Sequence, residues 1–163
     1  MNLHPGVEME NVSEIDHIQI ISRKIMAKIG NLSDIQIVSI AIFGSTARQD
    51  NSSYSDIDLL VVAEGIAEKR IQRIPDMVRI ERELDLESPV DILLVSKDEC
   101  QSNFRNHNPL YLDIAFDAEI VYDDSGFLAN LMEETREYVS SNNIRRGVSS
   151  WSFPVKERVA TEL

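Results

Sequence analysis

The chain has 163 residues, 43% of them hydrophobic and 27% charged, with a formal net charge of −12 and an isoelectric point near 4.6. Near-average apolar and charged fractions exclude a disordered, collagen-like or coiled-coil chain and favour one globular domain with a core of its own. The acidity argues against non-specific binding to nucleic acid or an anionic membrane, and the single cysteine, Cys100, cannot close an intramolecular disulfide, which fits a reducing cytoplasm.

The N-terminal region lacks the basic and apolar segments of a signal peptide, and no apolar run reaches the ~18 residues that span a bilayer. Met1 to Asn11 is polar, contains Pro5 and Gly6, and is expected to be a loose arm. Ile15, Ile18, Ile21, Ile25 and Ile29 recur at helical steps and predict an amphipathic helix over Val12–Ile29, with Ser13 and Asp16 as candidate caps and Gly30–Asn31 as its stop. Ile35–Phe43 is rich in β-branched residues and reads as a buried strand ending at Gly44. The polar stretch Ser45–Ser55 leads to a second strand, Asp56–Val62, closed by Ala63-Glu64-Gly65. Glu68–Leu84 carries Ile71, Ile74, Val78 and Ile80 or Leu84 at helical steps, and Pro75 inside it predicts a kink or two shorter helices. Pro89–Val95 is a third strand, while Ser96–Asn108 is polar and takes no assignment. Leu110–Phe116 is expected to be helical and Ala118–Tyr122 a short strand. Gly126–Val139 is a helix with Phe127, Leu128, Leu131 and Val139 on its apolar side. This alternation predicts an α/β or α+β sheet domain without fixing the strand order. The expected layout is an arm over residues 1–11, a domain over 12–141, and a polar tail over 142–163 in which Arg145, Arg146, Lys156 and Arg158 surround Trp151 and Phe153.

The chemistry lies in Gly44-Ser45-Thr46-Ala47-Arg48 and the Ser55-Asp56-Ile57-Asp58 segment that follows. Gly44 permits close backbone approach where the strand turns. A helical turn starting at Ser45 would present free N–H groups and a hydroxyl as an anion cradle. Asp56 and Asp58, two apart on a strand, share a face. Paired carboxylates are costly unless protonated or neutralised by a cation, and an all-oxygen set suits Mg²⁺ or Mn²⁺. Asp91 opens the third strand, and if that strand lies beside the second it reaches the same cation. Three carboxylates facing a phosphate cradle suggest two-metal phosphoryl or nucleotidyl transfer. Taken singly, an Asp-x-Asp is most often a solvated strand edge and a Gly-Ser only a turn; the combination is what is specific.

Gly44, Ser45, Asp56, Asp58 and Asp91 resemble the signature of the minimal nucleotidyltransferases (MNT) of the DNA polymerase β superfamily: Gly-Ser, a short spacer, Asp-x-Asp, then a later Asp on another strand. The motif spans roughly Ile37 to Val95. Asn108 through Asp123 and the helix after it are more weakly similar to stand-alone archaeal-type members. One departure is Gln49, where many members have glycine, so the loop from Asp50 to Ser55 must turn without one; Asn51 can adopt the left-handed geometry. The resemblance implies a nucleotidyltransferase fold, a small mixed sheet flanked by helices. It implies a triphosphate, ATP or another NTP, on Gly44-Ser45, two Mg²⁺ ions (or Mn²⁺) on Asp56, Asp58 and Asp91, and transfer of NMP with release of pyrophosphate. Asp91 would help deprotonate the attacking hydroxyl. Arg48, the one base between Lys28 and Lys69, is a candidate phosphate contact, with a surface pairing to Asp50 as the plainer alternative.

Members of this family often work beside a separately encoded, all-helical HEPN partner, and MNT antitoxins add AMP to a tyrosine of that partner. Only forty residues follow Asp123, so a HEPN partner would be a second chain. Two other functions compete: a binding module that neutralises a partner by contact, and a transferase acting on an aminoglycoside-like hydroxyl. His4, His17 and His107 show no metal spacing, and Cys100 reads as a structural thiol. The bases Lys69, Arg70, Arg73, Arg79 and Arg82 read as a solvated helix face. Trp151 and Phe153 either fold back on the core or anchor a partner or dimer mate, so a homo-oligomer stays compatible with the sequence.

Overall fold

The computed structural model describes residues 17–48 and 56–154. The isoleucine repeat forms α1, His17–Lys28, and buries Ile18, Ile21 and Ile25. The α-helix ends at Lys28, beside the expected end at Ile29, and a 3₁₀ turn then carries the chain from Ile29 to Leu32 and buries Leu32. The arm and the candidate caps Ser13 and Asp16 lie outside the described residues. Strands β1, Gln36–Phe43, and β2, Ile57–Glu64, are buried over most of their length because both faces of the sheet are covered. β2 continues through Ala63 and Glu64, and Gly65, at φ +72, follows it. Between the strands, Gly44–Ala47 forms a single helical turn, α2.

Pro75 divides Glu68–Leu84 into two pieces. A 3₁₀ turn, Arg70–Arg73, precedes α3, Ile74–Leu84, and the proline sits in the first turn, where no hydrogen bond is lost. The predicted apolar face needs correction. Ile80 and Leu84 are buried, but Ile71, Ile74 and Val78 are 71%, 47% and 56% exposed. Met77 packs with the buried pair, and at about 100° per residue Ile74 and Val78 lie well round the helix from that stripe.

β3 is Val90–Ser96, and the unassigned polar segment after it is a helix, α4, Lys97–Arg105. A reciprocal cap starts α4: Glu99 N donates to Ser96 Oγ at 3.1 Å, and Ser96 N donates to the Glu99 carboxylate at 2.8 Å. Helix α5, Pro109–Asp117, strand β4, Glu119–Asp123, and helix α6, Phe127–Ser141, follow where the sequence places them. The polar tail forms a small hairpin of β5, Arg145–Arg146, and β6, Trp151–Ser152. Trp151 folds back against Leu112, Val139 and Ile144, while Phe153 stays 48% exposed.

The four-stranded sheet has the order β3-β2-β1-β4, with β2 and β3 parallel and the other neighbours antiparallel. It is a mixed sheet between two helical layers, an α+β arrangement. Ile40, Ile42, Leu59, Val61, Ile92 and Leu94 face α1 and α3. Leu60, Val62 and Val95 face the opposite way, with Phe104, Ile114 and Leu131 of α4, α5 and α6. Asp123 ties β4 to α6 by accepting from Leu128 N and Ala129 N, each at 2.9 Å, and from the buried Ser39 hydroxyl at 2.6 Å. Among the described residues no helix is long and apolar enough to cross a membrane.

Candidate active site

Register brings the predicted acids together. Phe43 pairs with Asp58 across β1 and β2, and Asp58 pairs with Asp91 across β2 and β3. The end of β1 and the starts of β2 and β3 therefore meet at one edge of the sheet. Asp58 and Asp91 project from the face that holds Leu60, Val62 and Val95 farther along. Asp56 lies two residues before Asp58; Asp56 and Asp91 are exposed and Asp58 is half-buried. Carboxylates directly opposed on neighbouring strands repel. Burial, then Asp91, then Asp56 push the Asp58 carboxyl above its ordinary value, and Arg48 draws it partly back.

Gly44 is required by this arrangement. It has φ +70, and a Cβ placed on it would stand 2.2 Å from Asp58 Oδ2. The space a side chain would take is filled by the carboxylate itself. Thr46, buried in α2, donates from Oγ1 to the Asp56 carbonyl at 3.3 Å and ties the turn to the start of β2. Ser45 lies in the same turn, one residue from Gly44.

Arg48 Nη1 lies 3.8 Å from Asp117 Oδ2, at the end of α5. The alternative partner, Asp50, is outside the described residues, as are Gln49 and Asn51. Arg146 donates from Nη1 to Asp117 Oδ1 at 2.7 Å and from Nη2 to Asp113 Oδ1 at 3.0 Å, and Nη2 also bonds the second oxygen of Asp117. Arg146, foremost, and Arg48 hold the Asp117 carboxyl below its usual range. A cleft of about 440 Å³ opens between Arg48, Asp113, Arg146 and the Gly147–Ser150 loop. Sequence reasoning missed Asp113, Asp117 and Arg146 as neighbours of the site. They are ordinary charged residues in a helix and a tail, and nothing local marks them.

Other expectations resolve plainly. Cys100 is buried and its thiol is pushed up to about 12 by that burial, as for a structural cysteine. His17 begins α1, His107 stacks on Tyr138 at 3.7 Å between centroids, and His4 lies outside the described residues. The basic run is not wholly a solvated face: Arg73 is 2% exposed and bonds both Glu99 oxygens, at 2.6 and 3.0 Å.

Among the described residues, no three carboxylate, histidine or cysteine side chains converge into a ready-made metal cage. The donor chemistry nonetheless fits a divalent ion: oxygen ligands only, at the starts of two adjacent strands, with Asp58 raised in pKa by burial and then by the other two acids.

The family described as nucleotidyltransferase domain matches residues 23–121, a span that contains Gly44, Ser45, Asp56, Asp58 and Asp91. The chain belongs to that family. This nucleotidyltransferase is 30% identical over 103 residues to a protein of Methanocaldococcus jannaschii named "putative protein adenylyltransferase", covering 63% of this chain and 70% of that one. It is also similar to a crystal structure of a toxin–antitoxin with AMP-PNP, at 18% identity over 75% of this chain and 92% of the other, with a TM-score of 0.45. A Shewanella oneidensis tri-AMPylated HEPN toxin in complex with MNT antitoxin matches at 20% identity, over 77% and 92%, with a TM-score of 0.39. Structural likeness at that level carries no weight for function; family membership does, and the activity class is nucleotidyl transfer.

Proposed function

We propose that this nucleotidyltransferase moves AMP from ATP to a hydroxyl of a protein, with Mg²⁺ held by Asp56, Asp58 and Asp91. The observation that carries this reading is the pairing of Asp58 with Asp91 beside a glycine whose missing side chain makes room for the Asp58 carboxylate. Held by those three carboxylates, divalent ions would neutralise the triphosphate and make the acceptor hydroxyl more acidic. Gly44-Ser45 cradles phosphate oxygens, and Arg48 adds a fixed positive charge at their edge. Asp91 accepts the acceptor's proton. The acceptor oxygen then bonds to the α-phosphorus in line, the bond from that phosphorus to the bridging oxygen breaks, and pyrophosphate leaves. Positioning and charge complementarity supply the rate enhancement.

A protein acceptor agrees with the name of the archaeal relative. The finer choice, a tyrosine of a separately encoded HEPN-type helical protein, follows from the resemblance to MNT antitoxins. Incubation with α-labelled ATP, Mg²⁺ and such a protein is expected to label the protein, and an Asp56→Asn, Asp58→Asn double variant is expected to transfer nothing. Inhibition of the partner by wild type without any label on it would leave a contact-only binding module in place of the enzyme. Label appearing on an aminoglycoside-like small molecule instead would reassign the acceptor.

A further inference from the structure

The C-terminal hairpin reaches the site through one carboxylate. β5 and β6 set Arg146 opposite Trp151, with the guanidinium 5.4 Å from the ring centroid. Trp151 Nε1 donates to Asp113 Oδ1 at 3.0 Å, the same oxygen that accepts from Arg146 at 3.0 Å. Arg146 is thereby fixed at both ends of its fork, on Asp113 and on both oxygens of Asp117. The Asp117 side chain is only 14% exposed, and its Oδ2 faces Arg48 at 3.8 Å. Arg48 closes the turn that packs on Asp58: its backbone N–H donates to the Gly44 carbonyl at 3.3 Å, and Gly44 lies against the Asp58 carboxylate.

We propose that the hairpin is a positioning element of the nucleotide site: Arg146 locks Asp117, and Asp117 holds Arg48 beside the aspartates for a triphosphate. The inference rests on the nucleotidyl-transfer reading above. The geometry suits the task. At 3.8 Å the Arg48–Asp117 pair is loose beside the 2.7 Å bond that Arg146 makes to the same carboxylate, so it orients the guanidinium while leaving it able to take a phosphate. Arg146 bonds both Asp117 oxygens, which fixes the orientation of the carboxylate that faces Arg48. Arg146 lies beyond the residues 23–121 that match the family. Arg48 is the contact residue; Asp117 and Arg146 act through it.

The test is the dissociation constant of Mg·ATP for the full chain, measured by titration calorimetry. Asp117→Asn and Arg146→Gln are compared in the wild-type background and in an Arg48→Gln background. In the wild-type background each is expected to weaken binding about fivefold. Over Arg48→Gln, neither is expected to weaken it further. Unchanged affinity in the wild-type background overturns the positioning role. So does an equal loss in both backgrounds by variants whose thermal melting matches that of their parent, the control that separates positioning from a general loss of folding. Failure of wild type itself to bind Mg·ATP would overturn the nucleotidyl-transfer reading along with this one, whereas binding by wild type with indifferent variants overturns the positioning alone.

Discussion

Asp58 stands between two other acids and one base, and its titration carries a stability prediction. Burial, Asp91 and Asp56 raise its folded-state pKa, while the unfolded chain returns it to the ordinary aspartate range. Between those two values the native state holds more protons than the unfolded one, so stability falls as pH rises through that window. The contribution is fully present below the unfolded value and is lost once pH passes the folded one. At neutral pH without divalent ions, the Asp58 charge therefore destabilises the fold. Asp58→Asn is expected to melt at a higher temperature than wild type at pH 7 in chelator, and the gain should vanish below about pH 4, where both side chains are neutral. Added Mg²⁺ should raise the wild-type melting temperature more than that of the variant. Equal melting temperatures at pH 7 in chelator would show that the acids do not repel as their register implies. The five motif residues were legible because each lies at a strand end, and hydrophobic runs mark strand ends well. The pairing of Arg48 with Asp117 was not, because the two are distant in sequence and meet only through the tertiary fold.

At the scale of elements, Arg73 joins the turn before α3 to edge strand β3 and helix α4. Its guanidinium donates to the carbonyls of Ala67 at 2.6 Å, Glu68 at 2.9 Å and Leu94 at 3.2 Å, besides both oxygens of Glu99. Glu99 in turn caps α4, and its bonds to Arg73 hold its carboxyl below the usual range. Removing the base would strand a carboxylate and three carbonyls together. Arg73→Ala is expected to cost about 3 kcal/mol by urea denaturation, the low end for a broken buried pair because Glu99 keeps some contact with water. Glu99→Ala on top of it should add little, since the two side chains act as one unit. Additive costs would mean that each stabilises the fold separately. Sequence patterning could not reveal this junction: an arginine within a run of five bases reads as surface. It also left α4 unassigned, because a polar helix has a weak apolar stripe and only the Ser96-x-x-Glu99 box marks its start. Strands β1, β2 and β3 were legible because their apolar runs are short, rich in β-branched residues and bounded by turn residues, which favours a buried strand over a helix. Strand order was not, since antiparallel β1–β2 beside parallel β2–β3 depends on how α3 crosses the sheet.

For the whole molecule, 28 acids against 16 bases set a long-range field that opposes the proposed substrate. In the proposed complex divalent ions would neutralise Asp56, Asp58 and Asp91, but the remaining acids still outnumber the bases. Mg·ATP is itself an anion, so its approach runs uphill until Arg48 and the bound ions act at short range. Simple salt screens the distant charges more than the close ones: the Debye length falls from about 30 Å at 0.01 M to about 10 Å at 0.1 M. Raising sodium chloride across that range at fixed Mg²⁺ is therefore expected to speed Mg·ATP association at least about twofold, read by stopped-flow with a fluorescent ATP analogue. The sign is the informative part. A protein that gathers phosphates with a broad basic surface slows under the same change, because salt weakens its attraction. Slowing here would mean that the field at the cleft mouth is positive, set by Arg48, Arg146 and neighbouring bases, and that the overall charge of −12 is held too far away to matter.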